Sequence, residues 1–159
     1  MGEVYFYHLT TTSLEAALVP LVTRGLGQGW RIEIRGQSAG MIEALDRALW
    51  LGPEEGFLPH GIAGGAMDDL QPVLLTTTES GVGASRVRAD CVMSVEGAGI
   101  AADEVARVAR ACVLFDGRDE GQTEQARGQW RRLTEAGCGA KYWAQVDGRW
   151  VMKQERPAR

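Results

Sequence analysis

Arg127, Trp130 and Arg131 are the residues whose types and spacing first suggest chemistry. They fall at i, i+3 and i+4 of a stretch, Asp119 to Ala136, that reads as a helix stopped by Gly137, so they share one face. Two guanidiniums can grip a carboxylate through paired N–H donors, and an indole beside them offers an apolar plate to an aromatic ring. Such a trio binds and makes no bonds. It suits an acidic peptide with an aromatic tip. The same residues also satisfy a plainer reading. Asp119, Glu120 and Glu124 lead while Arg127, Arg131 and Arg132 follow, the order the helix dipole favours on any solvated helix. Trp130 also has the spacing of a core residue beside Ala126 and Leu133.

Other stretches invite catalytic readings. Gly36-Gln37-Ser38-Ala39-Gly40 has the form of a nucleophile elbow between a strand and a helix. That elbow needs an acid and then a histidine downstream, and the only later histidine is His60. Ser38 therefore reads first as a helix cap, with a small serine hydrolase as a remote alternative. Gly25, Gly27 and Gly29 follow a helix and precede a strand, the reverse of a dinucleotide fingerprint. His8 and His60 stand far apart, and Cys91, Cys112 and Cys138 form no Cys-x-x-Cys pair. The expectation is no catalytic residue, no metal and no cofactor.

Composition narrows the partners. The 159 residues carry a net charge of -4, so a phosphate-coating surface is excluded and any basic patch must be local. Direct single-strand binding, with Trp130 stacking a base, stays as an alternative. Hydrophobic content of 45% and charged content of 24% are globular values, and no linker divides residues 1–159 into two domains. The first residues lack the basic and apolar segments of a signal peptide, and a cytoplasmic location is expected.

The elements that must hold these residues alternate. Val4 to Leu9 reads as a strand. A helix follows with a capping box at Thr12 and Glu15, a stripe of Leu14, Leu18, Leu21 and Val22, and a kink expected at Pro20. Arg31 to Arg35 alternates as a strand with one wet face, and Ser38 starts a helix striped by Met41, Ile42, Leu45 and Leu49. Gly61 to Gln71 reads as a loop, Pro72 to Thr76 and Cys91 to Val95 as strands, and Thr77 to Ala89 as a connection. Asp103 to Arg110 reads as a short helix with Val105, Val108 and Ala109 inward. Ala111 to Phe115 is an unbroken apolar run, as a strand buried on both faces requires. Asp147-Gly148 joins two final strands in a hairpin, with residues 154–159 expected to fray. The fold class is α/β: a mostly parallel sheet with helices on both faces, nucleotide-binding-like but without a phosphate loop, edged by an antiparallel hairpin.

Together, Leu45-Asp46-Arg47-Ala48-Leu49-Trp50, Phe57-Leu58-Pro59-His60 and Pro72-Val73-Leu74-Leu75 resemble the chi subunit of bacterial DNA polymerase III holoenzyme. Ala126-Arg127, Trp130-Arg131, Ala136-Gly137 and Lys141-Tyr142-Trp143 extend the resemblance through the C-terminal part. It implies a non-catalytic accessory subunit of the clamp-loader assembly, with DNA contact indirect. It further implies that Arg127, Trp130 and Arg131 capture the acidic C-terminal tail of single-stranded DNA-binding protein, which ends in a phenylalanine carboxylate. Thr123 stands where the family has a lysine in that site, and Asp116 at or beside a family valine. A second surface, matching Trp50, Pro53, Phe57 and Leu58, is implied to dock the psi subunit.

Overall fold

The computed structural model describes residues 2–51, 60–63, 71–77 and 88–159. Strands β1 (Glu3–Leu9), β2 (Ile32–Gly36), β3 (Gly61–Ile62), β4 (Val73–Thr77), β5 (Cys91–Ser94), β6 (Arg110–Asp116), β7 (Gly139–Val146) and β8 (Arg149–Arg156) form one sheet. Its order is β3-β4-β2-β5-β6-β1-β7-β8; every neighbouring pair is parallel except the final β7–β8 hairpin. The fold class is as the sequence indicates.

Helices α1 (Leu14–Gly27), α2 (Ala39–Leu51), α3 (Ala102–Arg107) and α4 (Glu120–Glu135) cover the two faces. Leu18, Leu21 and Val22 of α1 and Ile42, Leu45 and Leu49 of α2 pack with Tyr7, Ile34 and Leu114 on one side. Val105 of α3 and Ala126 and Leu133 of α4 pack with Val4, Phe6 and Val113 on the other. β6 is buried along both faces, which is why residues 111–115 carry no polar side chain. The connection from β1 runs through α1 to β2, and that from β6 through α4 to β7. These two helices lie on opposite faces, so the sheet reverses its winding between adjacent β1 and β6.

Several local expectations are corrected. Ser13, not Thr12, caps α1, accepting from the Ala16 amide at 3.1 Å, because the Thr12 hydroxyl is engaged by Gln145 Nε2 at 2.7 Å. α1 runs through Pro20 without a break; the ring faces solvent, where water can reach the carbonyl left without a donor. The expected wet face of β2 is sealed: Glu33 is buried, bonded to Thr76 Oγ1 at 2.8 Å and to Arg35 at 2.9 Å, and Arg35 reaches Glu104 of α3 at 2.6 Å. A central strand cannot keep a solvated row when helices cover both sides. Ala109 is exposed, since α3 ends at Arg107 and β6 begins at Arg110. Gly61–Ile62 pairs with Leu74–Leu75 as a short strand inside the expected loop. The end is not frayed from Gln154: β8 pairs through Arg156, and Arg159 donates to the carbonyls of Thr134 and Glu135, each at 2.8 Å. Asp147 (φ 50°) and Gly148 (φ 75°) both adopt the left-handed conformation that a tight hairpin turn with the strands' twist requires.

Candidate functional site

α4 begins at Asp119, whose side chain accepts from the Gln122 amide, and ends before Gly137, which takes φ 95°. Ala126, Gln129 and Leu133 face the sheet. The helical period then places Trp130, Arg127 and Arg131 on one flank and Arg132 on the other. Contacts agree with that division. Arg132 donates to the Ile100 carbonyl at 3.0 Å, toward the β5 side. Trp130 leans the opposite way, against Tyr142 of β7 (ring centroids 6.0 Å apart) and Phe6 of β1 (5.3 Å).

The three predicted residues thus meet on the flank beside β7. Arg127 is 67% exposed and pairs with Glu124 at 3.0 Å, a solvent-screened contact that a stronger anion can displace. Arg131 is exposed and has no ion-pair partner among the described residues. Trp130 is half-buried, so the plain and functional readings each hold for part of it: its inner edge belongs to the core and its outer part is accessible. Thr123 lies on the same flank and presents no charge.

Sequence reasoning missed the aromatic wall beneath this flank. The Tyr142 hydroxyl hydrogen-bonds to His8 Nδ1 at 2.6 Å, and His8 stacks on Phe115 with ring centroids 5.0 Å apart. Gly117 closes over the imidazole, where a Cβ would strike His8 Nε2. Burial holds the His8 pKa below its ordinary value and Arg127 lowers it further, while Asp116 opposes both. Burial raises the Tyr142 hydroxyl, with Arg127 acting the other way. Hydrogen bonds from the Arg118 side chain and amide keep the Asp116 carboxyl below its usual range. His8 and Tyr142 lie 134 residues apart, so no periodicity joins them. Only the alignment of β1 with β7, His8 beside Ala144, brings them together.

At the second predicted surface, Trp50 is 60% exposed at the end of α2 and stands edge-on to His60 (5.4 Å), next to an 84% exposed Leu51. His60 Nε2 lies 3.0 Å from Asp46. Pro53, Phe57 and Leu58 fall outside the described residues. Ser38 is a cap: its hydroxyl donates to Glu96 Oε2 at 2.8 Å and accepts from the Met41 amide at 3.3 Å. Glu96, at φ 59°, also takes the amides of Gln37 and Ser38 at 2.8 and 2.9 Å. The Glu96 carboxylate thus takes backbone donors at the start of α2.

The chain is thus a mostly parallel α/β protein that carries exposed arginines beside a half-buried tryptophan on one flank of α4. More narrowly, the family model described as DNA polymerase III chi subunit, HolC, matches residues 1–141, and the chain belongs to that family. Membership makes it an accessory subunit of DNA polymerase III with a role in DNA replication. No curated protein matches the chain. Among the described residues, no helix is long and apolar enough to cross a membrane.

Proposed function

We propose that this chain links the polymerase III clamp-loader assembly to single-stranded DNA-binding protein by capturing that protein's acidic C-terminal tail. The observation that carries the reading is the shared flank of α4, on which exposed Arg127 and Arg131 border half-buried Trp130 above Tyr142. The guanidiniums hold the terminal carboxylate, and the terminal phenylalanine ring packs on the aromatic wall, a recurring mode of chain-end recognition. The chain acts as an adaptor and transfers no group. Its DNA contact is indirect, as the net charge of -4 favours.

Calorimetric titration with a peptide ending in a phenylalanine carboxylate tests the reading. Arg127→Ala is expected to weaken binding by about 1–3 kcal/mol, the worth of a hydrogen bond to a charged group. Unchanged affinity with an intact circular dichroism spectrum sinks the pocket. Tight binding of an oligonucleotide with no peptide binding points instead to direct contact with single-stranded DNA.

The exposed Trp50 and Leu51 support a second docking face, completed by Pro53, Phe57 and Leu58, for the psi subunit or an equivalent clamp-loader component. Trp50→Ala is expected to abolish co-elution with purified psi. Retained co-elution removes Trp50 from that interface.

A further inference from the structure

The β7–β8 hairpin extends past the helix that carries the proposed tail site. Its register sets Ala140 opposite Arg156, Tyr142 opposite Gln154, Ala144 opposite Val151 and Val146 opposite Arg149. Alternate residues of β7 share a face and paired residues of β8 share it with them, across a register shift between Tyr142 and Trp143; Tyr142 touches Trp130, so all eight lie on the α4 side. On the other side of the hairpin, Trp143 and Trp150 pack against Tyr5 and Tyr7, and Met152 is 44% exposed. On the α4 side, α4 itself reaches only the first part of β7. Val146 and Val151 are left 39% exposed, and Arg149, Gln154 and Arg156 are all exposed.

Four arginines therefore border one continuous face: Arg127 and Arg131 from α4, Arg149 and Arg156 from β8. Arg131, Arg149 and Arg156 have no ion-pair partner among the described residues, and Glu155 points to the opposite side, 3.8 Å from Lys141. On a chain with net charge -4 this is a local concentration of cations with apolar ground between them. β8 is also the last strand of the sheet, with one row of backbone donors and acceptors left without a strand partner. A second copy is a poor occupant, since antiparallel pairing of two whole β8 strands opposes Arg149 to Arg156. An acidic chain is a good one.

We infer that the α4-side face of the β7–β8 hairpin is a second subsite, which holds the run of carboxylates immediately preceding the chain end gripped by Arg127 and Arg131. The inference rests on the tail-capture reading and extends it to residues beyond 141, outside the segment the family model matches. The peptide leaves the Trp130 pocket over Tyr142, passes Val151, and sets its acidic side chains between Arg149 and Arg156. An extended peptide rises about 3.3 Å per residue, so about eight residues match the length of β8.

The test titrates the full chain with two peptides ending in a phenylalanine carboxylate: one of about four residues, and one of about ten with aspartates upstream. The longer peptide is expected to bind more tightly and to lose affinity more steeply with added salt. Arg149→Ala combined with Arg156→Ala is expected to weaken the long peptide about three- to tenfold and leave the short one unchanged. Val151→Glu, which places a like charge on the track, is expected to act the same way; all three positions are exposed, so folding is not at stake. Equal affinity of the long peptide for wild type and variants overturns the subsite. So does equal weakening of both peptides, which would place the chain end itself on the hairpin. If wild type binds neither peptide, tail capture falls and the subsite with it, and that result is distinct from either of the others.

Discussion

His8 never touches solvent as freely as Arg127 does, yet the two share a field. The imidazole sits between Phe115 and Tyr142, with Asp116 and Arg127 as the charged groups acting on it. Arg127 disfavours a proton on His8, and burial disfavours it more. A carboxylate that settles on Arg127 cancels part of that field, so His8 binds a proton more readily in the complex than in the free protein. Linkage then fixes the sign: peptide affinity rises as pH falls through the range below the ordinary histidine value of 6.5. Affinity is expected to increase about twofold between about pH 6.5 and about pH 5, and His8→Gln is expected to flatten that slope. Calorimetry at both pH values reads it, and a slope that persists in His8→Gln removes His8 from the linkage. The trio on α4 was legible in the sequence because helical spacing alone puts Arg127, Trp130 and Arg131 on one face. His8 and Tyr142 were not, since strand register across the whole chain decides their meeting.

Among elements, α3 is the shortest helix, six residues, and spacing alone would leave it marginal. Val105 anchors it in the core, and Glu104 clips it to β2 through Arg35, with Oε1 and Oε2 at 3.1 and 2.6 Å. Hydrogen bonding from Arg35 holds the Glu104 carboxyl below its ordinary value of 4.5, although partial burial works against it. For Arg35, burial favours loss of its proton, but the bonds to Glu104 and Glu33 outweigh that and raise its pKa. A carboxyl depressed in the folded state stabilises above its unfolded pKa, and that stability is lost as pH falls through the folded one. Glu104→Gln is therefore expected to cost about 1–3 kcal/mol near neutral pH, with the gap to wild type closing in the acid range below pH 4.5. Thermal melts across that range check it; a constant gap means that lost packing, not charge, is responsible. The clip explains why β2 was misread. Alternation of Arg31, Glu33 and Arg35 with Ile32 and Ile34 describes a strand with a polar row, but it cannot say whether water or a buried ion pair receives that row.

At the scale of the molecule, the strand–helix alternation and Asp147-Gly148 sufficed for the sheet's class and its antiparallel edge, because each rests on local spacing. The order of the strands and the fate of the last residues do not. β1 and β7 stand between β6 and β8, and β8 joins the sheet only through β7, so its place depends on the pairing of β7 with β1, which sets Glu3 beside Gly139. Those partners include α4. Gly137 accepts from the Arg159 amide at 3.0 Å, and the Arg159 guanidinium donates to the carbonyl of Glu135 and to that of Thr134, which also accepts from the Gly137 amide. A cation there also opposes the negative end of the helix dipole. The helix that bears the recognition flank is thus fastened at its far end by a residue on the strand side of the hairpin. Arg159→Ala is expected to lower stability by about 0.5–1.5 kcal/mol and to raise hydrogen exchange in the last turn of α4 without changing that at Asp119. If exchange rises along all of α4, the fastening is global rather than local. If neither stability nor exchange moves, the contact adds nothing, and the hairpin holds its place through Trp143 and Trp150 alone.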